Sequence, residues 1–236
     1  MAYQNMTLED FAQHVGMDAR EVQKLADRGK LPGQKIGGEW RFNRARVTEW
    51  LQQEMHLLDE KRLAMLDQAM GPGHDKSDDK SMVLTGLIGL DGIDIALRAN
   101  TKASVLRELV GLAEKTGLLY DAQGLLVALD AREDMCSTGL QYGIAIPHPR
   151  QPMPYVSAEP LVCVARTVRG IGFGSPWGLS QLFFLICCHD DRHHLRVLAR
   201  LMRVLSPDIV DALMAAESPE ALLQILITKE YAVIKG

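Results

Sequence analysis

Arg132-Glu133-Asp134-Met135-Cys136-Ser137-Thr138-Gly139-Leu140-Gln141-Tyr142-Gly143-Ile144-Ala145-Ile146-Pro147-His148-Pro149-Arg150 is the segment that decides how this chain is read. Ile144-Ala145-Ile146 has the apolar, β-branched character of a short strand. Pro147 and Pro149 stiffen the backbone on either side of His148. An imidazole near its reference pKa of ~6.5 is largely neutral at pH 7 and keeps a nucleophilic nitrogen. Such a ring can carry a covalent phosphoryl group if donors surround the phosphoryl oxygens, and the planar fork of an arginine suits that task. On its own, a histidine between prolines is usually structural.

The chain around this segment has 236 residues, 47% apolar and 24% charged, with a formal net charge of −4. This is the composition of one large or two small globular domains. Leu182–Cys188, the longest near-continuous apolar run, is far short of the ~18 residues that span a bilayer. Met1-Ala2-Tyr3-Gln4-Asn5 carries neither a basic flank nor an apolar signal core. Four cysteines in a chain this long do not make a disulfide framework. A membrane span, a secreted disulfide scaffold, a disordered chain and a collagen are excluded. A cytoplasmic protein is expected.

Gly71-Pro72-Gly73-His74-Asp75-Lys76-Ser77-Asp78-Asp79-Lys80-Ser81 reads as a flexible linker. It places an N-terminal module at 1–56, a helical extension and linker at 57–81, and a larger domain at 82–236. Within that domain the spacing of leucines predicts helices over Lys102–Lys115, Asp121–Arg132 and from Leu195 to Leu205. Two more are expected over Pro207–Ala215 and Pro219–Ile227. Leu161–Arg166 and Leu182–Cys188 read as strands. Helices interleaved with strands give an α/β fold, a mixed sheet covered by helices.

In the N-terminal module, Thr7 and Asp10 frame a helix start and Asp18 caps a second helix that stops at Gly29. Gln34–Asn43 reads as a hairpin turning at Gly37-Gly38, and a third helix begins near Asn43. Two short helices, a wing and a third helix describe a winged helix-turn-helix. Arg28, Lys30, Lys35, Arg41, Arg44 and Arg46 oppose only Glu39, a local charge of +5 in an otherwise acidic chain. Such a stripe suits a polyanion or is simply a solvated face. Leu51, Met55, Leu58, Met65 and Met70 keep helical spacing, so one helix over Val47–Met70 is expected. It either pairs with a second copy of the chain or folds back on the larger domain.

Thr7–Ala12, Val22–Gly33 and the Trp40-Arg41-Phe42 wing resemble the excisionase-like and MerR-like DNA-binding modules. This resemblance implies double-stranded DNA as a partner. Arg20, Gln23, Lys24 and Arg28 would lie on the groove-facing helix, and Lys35 and Arg41 on the wing, with Arg44 and Arg46 also within reach of phosphates. A module that binds protein is the alternative.

Arg132-Glu133, Ser137-Thr138-Gly139 and Gly143–His148 resemble the signature of the enzyme IIA domains of the phosphoenolpyruvate-dependent phosphotransferase system, of the fructose, mannitol and nitrogen-regulatory class. The resemblance extends over about 82–234. It implies that His148 is phosphorylated by a histidine-bearing phosphocarrier protein, that Arg132 and His194 flank the phosphoryl site, and that no cofactor or metal takes part. Two positions depart from the pattern. Pro149 stands where glycine is usual and removes a backbone N–H, which bears on transfer rate. Gly172 and Gly174 lie near positions where acidic residues are common, which bears on partner choice.

Three functions follow as expectations. The first is a regulator phosphorylated on His148 that binds DNA, with phosphorylation altering DNA occupancy unless the linker insulates the two parts. The second is a soluble phosphocarrier serving an enzyme IIB partner in sugar uptake. The third is a metal hydrolase built on Cys187-Cys188-His189-Asp190-Asp191-Arg192-His193-His194, a cluster that lacks the usual ligand spacings.

Overall fold

The computed structural model describes residues 5–71 and 82–235. All of the expected linker but Gly71 therefore lies outside the described residues. The chain divides into two units. The first comprises the residues up to 81 together with Leu195–Arg203, and the second the remainder.

The first unit opens with strand β1 (Asn5–Met6), followed by helices α1 (Leu8–Val15) and α2 (Ala19–Asp27). The hydroxyl of Thr7 accepts from Asp10 N–H while the Asp10 carboxylate accepts from Thr7 N–H, a reciprocal cap. Asp18 caps α2 through the amides of Arg20 and Glu21. The wing is β2 (Gly33–Ile36) and β3 (Glu39–Asn43), turning through Gly37 and Gly38, both at positive φ. Positive φ at both central residues matches the twist of a two-residue hairpin. The three strands form an antiparallel sheet in the order β1-β3-β2. The rings of Phe11 and Phe42, both buried, lie 4.5 Å apart and tilted by 32°.

Helix α3 (Arg44–Glu54), capped by Asn43, does not continue to Met70. It tightens into a 3-10 turn over Met55–Leu57, Leu58 is extended, and Asp59 caps a separate helix α4 (Glu60–Ala69). A side chain that caps the following amides competes with helix continuation, which is why the apolar spacing alone misled. Leu51, Met55 and Met70 are buried. Leu58 and Met65, the other two residues of the expected stripe, are half-buried. Gly16, at φ 69, ends α1 where the chain meets α4, and a Cβ there would lie 2.7 Å from the Met65 carbonyl oxygen.

The second unit contains β4 (Ile93–Asp94), α5 (Lys102–Lys115), α6 (Ala122–Met135), β5 (Ile144–Ala145), β6 (Leu161–Ile171) and β7 (Ser180–Cys187). After α7 (Asp191–Val204) come α8 (Pro207–Ala215) and α9 (Pro219–Lys235). The sheet is mixed, in the order β4-β6-β7-β5, with β6 and β7 antiparallel and the edge strands parallel to their neighbours. Cys163, Ala165, Phe183, Leu185 and Cys187 pack on one face with Leu106, Leu109, Leu125 and Leu129 of α5 and α6. Val162, Val164, Phe184 and Ile186, on the opposite face, are equally buried. Burial on both faces is why β7 reads as an unbroken apolar run rather than an alternating one. No helix among the described residues is long and apolar enough to cross a membrane.

Gly16→Ala is expected to destabilise the chain by about 1–3 kcal/mol, through left-handed strain and collision with α4. Gly29 has φ 68 but open space around it. Gly29→Ala should therefore cost only the ~1 kcal/mol of strain. Urea denaturation of both variants isolates the cost of the α4 approach.

Candidate functional site

Strand β5 pairs in parallel with β7, Ile144 opposite Leu182 and Ala145 opposite Phe183. The pairing is extended two residues further, where the Ile186 amide donates to the Pro147 carbonyl at 3.0 Å. Pro147 has no N–H to satisfy, so it ends the strand without leaving an orphaned donor. The Ile146 carbonyl faces the His148 ring, with Nδ1 at 2.7 Å. A carbonyl can only accept, so Nδ1 carries the proton and the lone pair is on Nε2.

The Ser137-Thr138-Gly139 turn has a separate task for each residue. The Ser137 hydroxyl donates to the Phe173 carbonyl at 2.8 Å and accepts the Gly139 amide. Thr138 donates its amide and hydroxyl to the Glu133 carboxylate. A Cβ on Gly139 would come within 2.6 Å of Ser175 Cβ, so only glycine admits that approach. At the end of α6, the Arg132 guanidinium donates to the Cys136 carbonyl at 2.9 Å and contacts its sulfur at 3.1 Å. Arg132 and Glu133 are both buried, and burial raises the Glu133 pKa against the opposing effect of Thr138.

His194 enters from the first turn of α7, which Asp190 initiates by accepting the His193 amide. The His148 and His194 rings lie 5.0 Å apart, tilted by 48°. Both residues are buried, and neither Nε2 has a hydrogen-bond partner among the described residues. Burial, then the charges of His194 and Arg132, hold His148 well below its usual value; the Ile146 hydrogen bond opposes them. Burial and Arg132 push His194 down to about 4. Both rings are thus neutral at pH 7. The fold brings Arg132, His148 and His194 together, with both imidazoles in the field of the guanidinium. Pro149 is buried beside His148 and supplies no amide.

Of the residues expected on the DNA-facing surface, Arg20, Lys24 and Arg28 are exposed on and just beyond α2. Gln23 and Lys35 instead converge on Asp27, at 2.8 and 3.2 Å, where the Trp40 indole N–H also donates. Arg41 pairs with Glu39 at 2.6 Å. Asp27, which ties α2 to the wing, was not singled out in the sequence because its partners lie across a turn. Arg41, Arg46, Asn43, Gln34 and Asn5 line an open concavity of about 390 Å³ on the wing.

Cys187 packs in the core with Cys163, and the Ser157 hydroxyl lies 3.1 Å from His189 Nε2. Among the described residues no three His, Cys, Asp or Glu side chains are placed to hold a metal.

Residues 87–229 match the family described as phosphoenolpyruvate-dependent sugar phosphotransferase system, EIIA 2, and the chain belongs to it. Residues 6–55 match a helix-turn-helix domain. The nitrogen regulatory protein of Bradyrhizobium diazoefficiens is 33% identical over 151 residues, 61% of this chain and 95% of that protein. The fructose-specific EIIABC component of Bacillus subtilis is 31% identical over 149 residues, 61% of this chain but only 23% of that protein's length. The crystal structure of nitrogen regulatory protein IIA-Ntr from Neisseria meningitidis superimposes with a TM-score of 0.54 at 28% identity, covering 60% of this chain and 97% of that one.

A histidine held neutral by the fold contributes stability that is full above its unfolded pKa of about 6.5 and is lost as pH falls through its folded value. For His194 the window runs from 6.5 to about 4. Denaturant unfolding across this range should show wild-type stability falling more steeply than that of His194→Gln. The difference should approach 1.4 kcal/mol per pH unit.

Proposed function

We propose that the chain accepts a phosphoryl group on Nε2 of His148 from a histidine-bearing phosphocarrier protein, and that it binds duplex DNA through α2 and the β2–β3 wing. The observation that carries the first half is the 2.7 Å contact between His148 Nδ1 and the Ile146 carbonyl. It fixes the tautomer whose Nε2 lone pair attacks phosphorus. The N–P bond on the donor breaks as the new one forms, and the Nδ1 proton stays on its hydrogen bond. A ring protonated on Nδ1 is a good leaving group, so the phosphoryl group can be passed on. Arg132 supplies charge to the phosphoryl oxygens, which matters most in a site that excludes water.

Similarity to nitrogen regulatory proteins and to a fructose-specific transporter component supports phosphoryl acceptance. An enzyme IIB domain or a regulatory protein is the proposed onward acceptor. The helix-turn-helix match and the +5 stripe favour a regulator over a carrier dedicated to sugar uptake. Of the stripe that suggested a homodimer, Leu51, Met55 and Met70 are buried while Leu58 and Met65 are half-buried.

Incubation with phosphoenolpyruvate and the upstream carriers should label wild type with acid-labile phosphate and leave His148→Ala unlabelled. Labelling of that variant to wild-type level overturns the assignment. Arg132→Lys keeps a charge but loses the planar fork, and should slow uptake by about 10²-fold.

Affinity for duplex DNA should fall with salt by roughly 0.9 log unit per log salt for each phosphate contact. Arg41→Ala should flatten that slope by about one, and a combined Arg20→Ala, Lys24→Ala and Arg28→Ala chain should flatten it further. Binding that ignores salt would place the module among protein-binding ones.

A further inference from the structure

The first unit holds a cavity of about 330 Å³. Every residue that lines it lies between Val15 and Leu66, within that unit. The break between α3 and α4 opens it. α3 stops at Glu54, Leu58 is extended, and Asp59 starts α4 afresh, so side chains of α2, α3 and α4 border a common space rather than filling it. Leu25, Trp50, Leu58 and Met65 are large and apolar yet only half-buried, because each borders this space. Leu57, 63% exposed, stands where it meets solvent. The volume falls at the lower end of the roughly 300–1,000 Å³ that small-molecule sites occupy. An apolar hollow gains dispersion contacts when an apolar body fills it.

Charged groups on the wall decide what that body carries. Glu21 and Arg62 pair at 2.6 Å and neutralise each other. Arg28, Lys30 and Glu54 remain, two cations against one carboxylate. Arg28 and Lys30 follow the end of α2, and neither side chain has a hydrogen-bond or ion-pair partner among the described residues. Lys35 and Arg41, by contrast, are already paired. An arginine fork and an ammonium on the wall of an apolar hollow match an anionic head, above all a carboxylate.

We propose that this cavity binds a small anionic amphiphile, an apolar body ending in a carboxylate that Arg28 and Lys30 hold, and that its occupancy weakens DNA binding. The second half rests on the DNA reading above. Arg28 is one of the groups proposed to reach the duplex, and a guanidinium committed to a carboxylate is withdrawn from a phosphodiester. The first half stands without that reading. Binding and withdrawal both take place within the first unit. Linkage makes the effect reciprocal: duplex DNA lowers affinity for the amphiphile by the same factor.

The test uses the full chain, with decanoate below its micellar range as the probe and decylammonium as the control of opposite charge. Calorimetry should show saturable one-to-one binding of decanoate with a Kd of about 0.1 mM or tighter, and binding of decylammonium at least about tenfold weaker. Trp50 lines the cavity and Trp40 and Trp177 do not, so decanoate should change tryptophan emission in wild type and not in Trp50→Phe. Leu58→Trp fills the space and should abolish binding. Arg28 and Lys30 are exposed, so the double variant Arg28→Gln, Lys30→Gln provides a folded chain if Leu58→Trp unfolds. It should bind decanoate about tenfold more weakly and lose the preference over decylammonium. Saturating decanoate should weaken wild-type affinity for a mixed-sequence duplex by about fivefold or more, the lower end of ordinary coupling between sites, and leave that of Arg28→Gln unchanged. Absence of saturable binding, or equal binding by wild type and the double variant, overturns the site. So does sedimentation as a dimer that Leu57→Asp dissociates, which puts a second copy of the chain on this surface. A duplex affinity that ignores decanoate overturns the withdrawal of Arg28 alone. A chain that binds no duplex overturns the DNA reading, while the amphiphile site stands on calorimetry.

Discussion

Strand β7 is hydrogen-bonded along both edges and buried on both faces, and the placement of everything else in the second unit follows from it. Its antiparallel partner β6 supplies the apolar face that seats α5 and α6. Its parallel partner β5 is only two residues long, too short to hold a position by itself. Pairing with β7, extended by the Ile186 contact to Pro147, fixes the end of β5 and therefore the residue that follows. His148 thus follows three residues after a strand end that the sheet fixes.

The surroundings of the His148 ring combine two effects that work against a cation. Burial removes water from the ring, and Arg132 adds a like charge nearby. Both leave the ring uncharged, and the guanidinium alone of the two favours an anion beside it. Glu133 is buried beside the arginine, its carboxylate accepting from Thr138 and interacting with the charges of Lys102 and Arg132.

Much of this was legible in the amino-acid order. α5 and α8 have the bounds expected, the first through leucine spacing and the Thr101 cap, the second through Pro207 at its start. β6 and β7 were recognisable as apolar runs, and the Ile-Ala-Ile-Pro-His motif located the site. β4, at two residues, leaves no periodic signal. The division between α3 and α4 was missed because apolar spacing persists through Leu58 while the backbone does not. The cavity beside that division was invisible for a different reason: its walls come from separate helices, and no local pattern announces a space between them. Arg132 shows the complementary case. Its place in a motif was plain, but the Cys136 contacts that orient it were not.

Asp27 holds the Gln23 amide, the Lys35 ammonium and the Trp40 indole, groups on α2 and the wing that a phosphodiester would also attract. The unit therefore carries its own competitor for those groups. A weak or poorly aligned polyanion gains little by displacing a carboxylate already in place. A backbone presenting its charges at the right spacing exchanges one anion for another and frees Asp27 to the solvent. Under the proposed DNA-binding reading the aspartate is an internal threshold, lowering the attraction for stray anions more than for a well-fitted duplex.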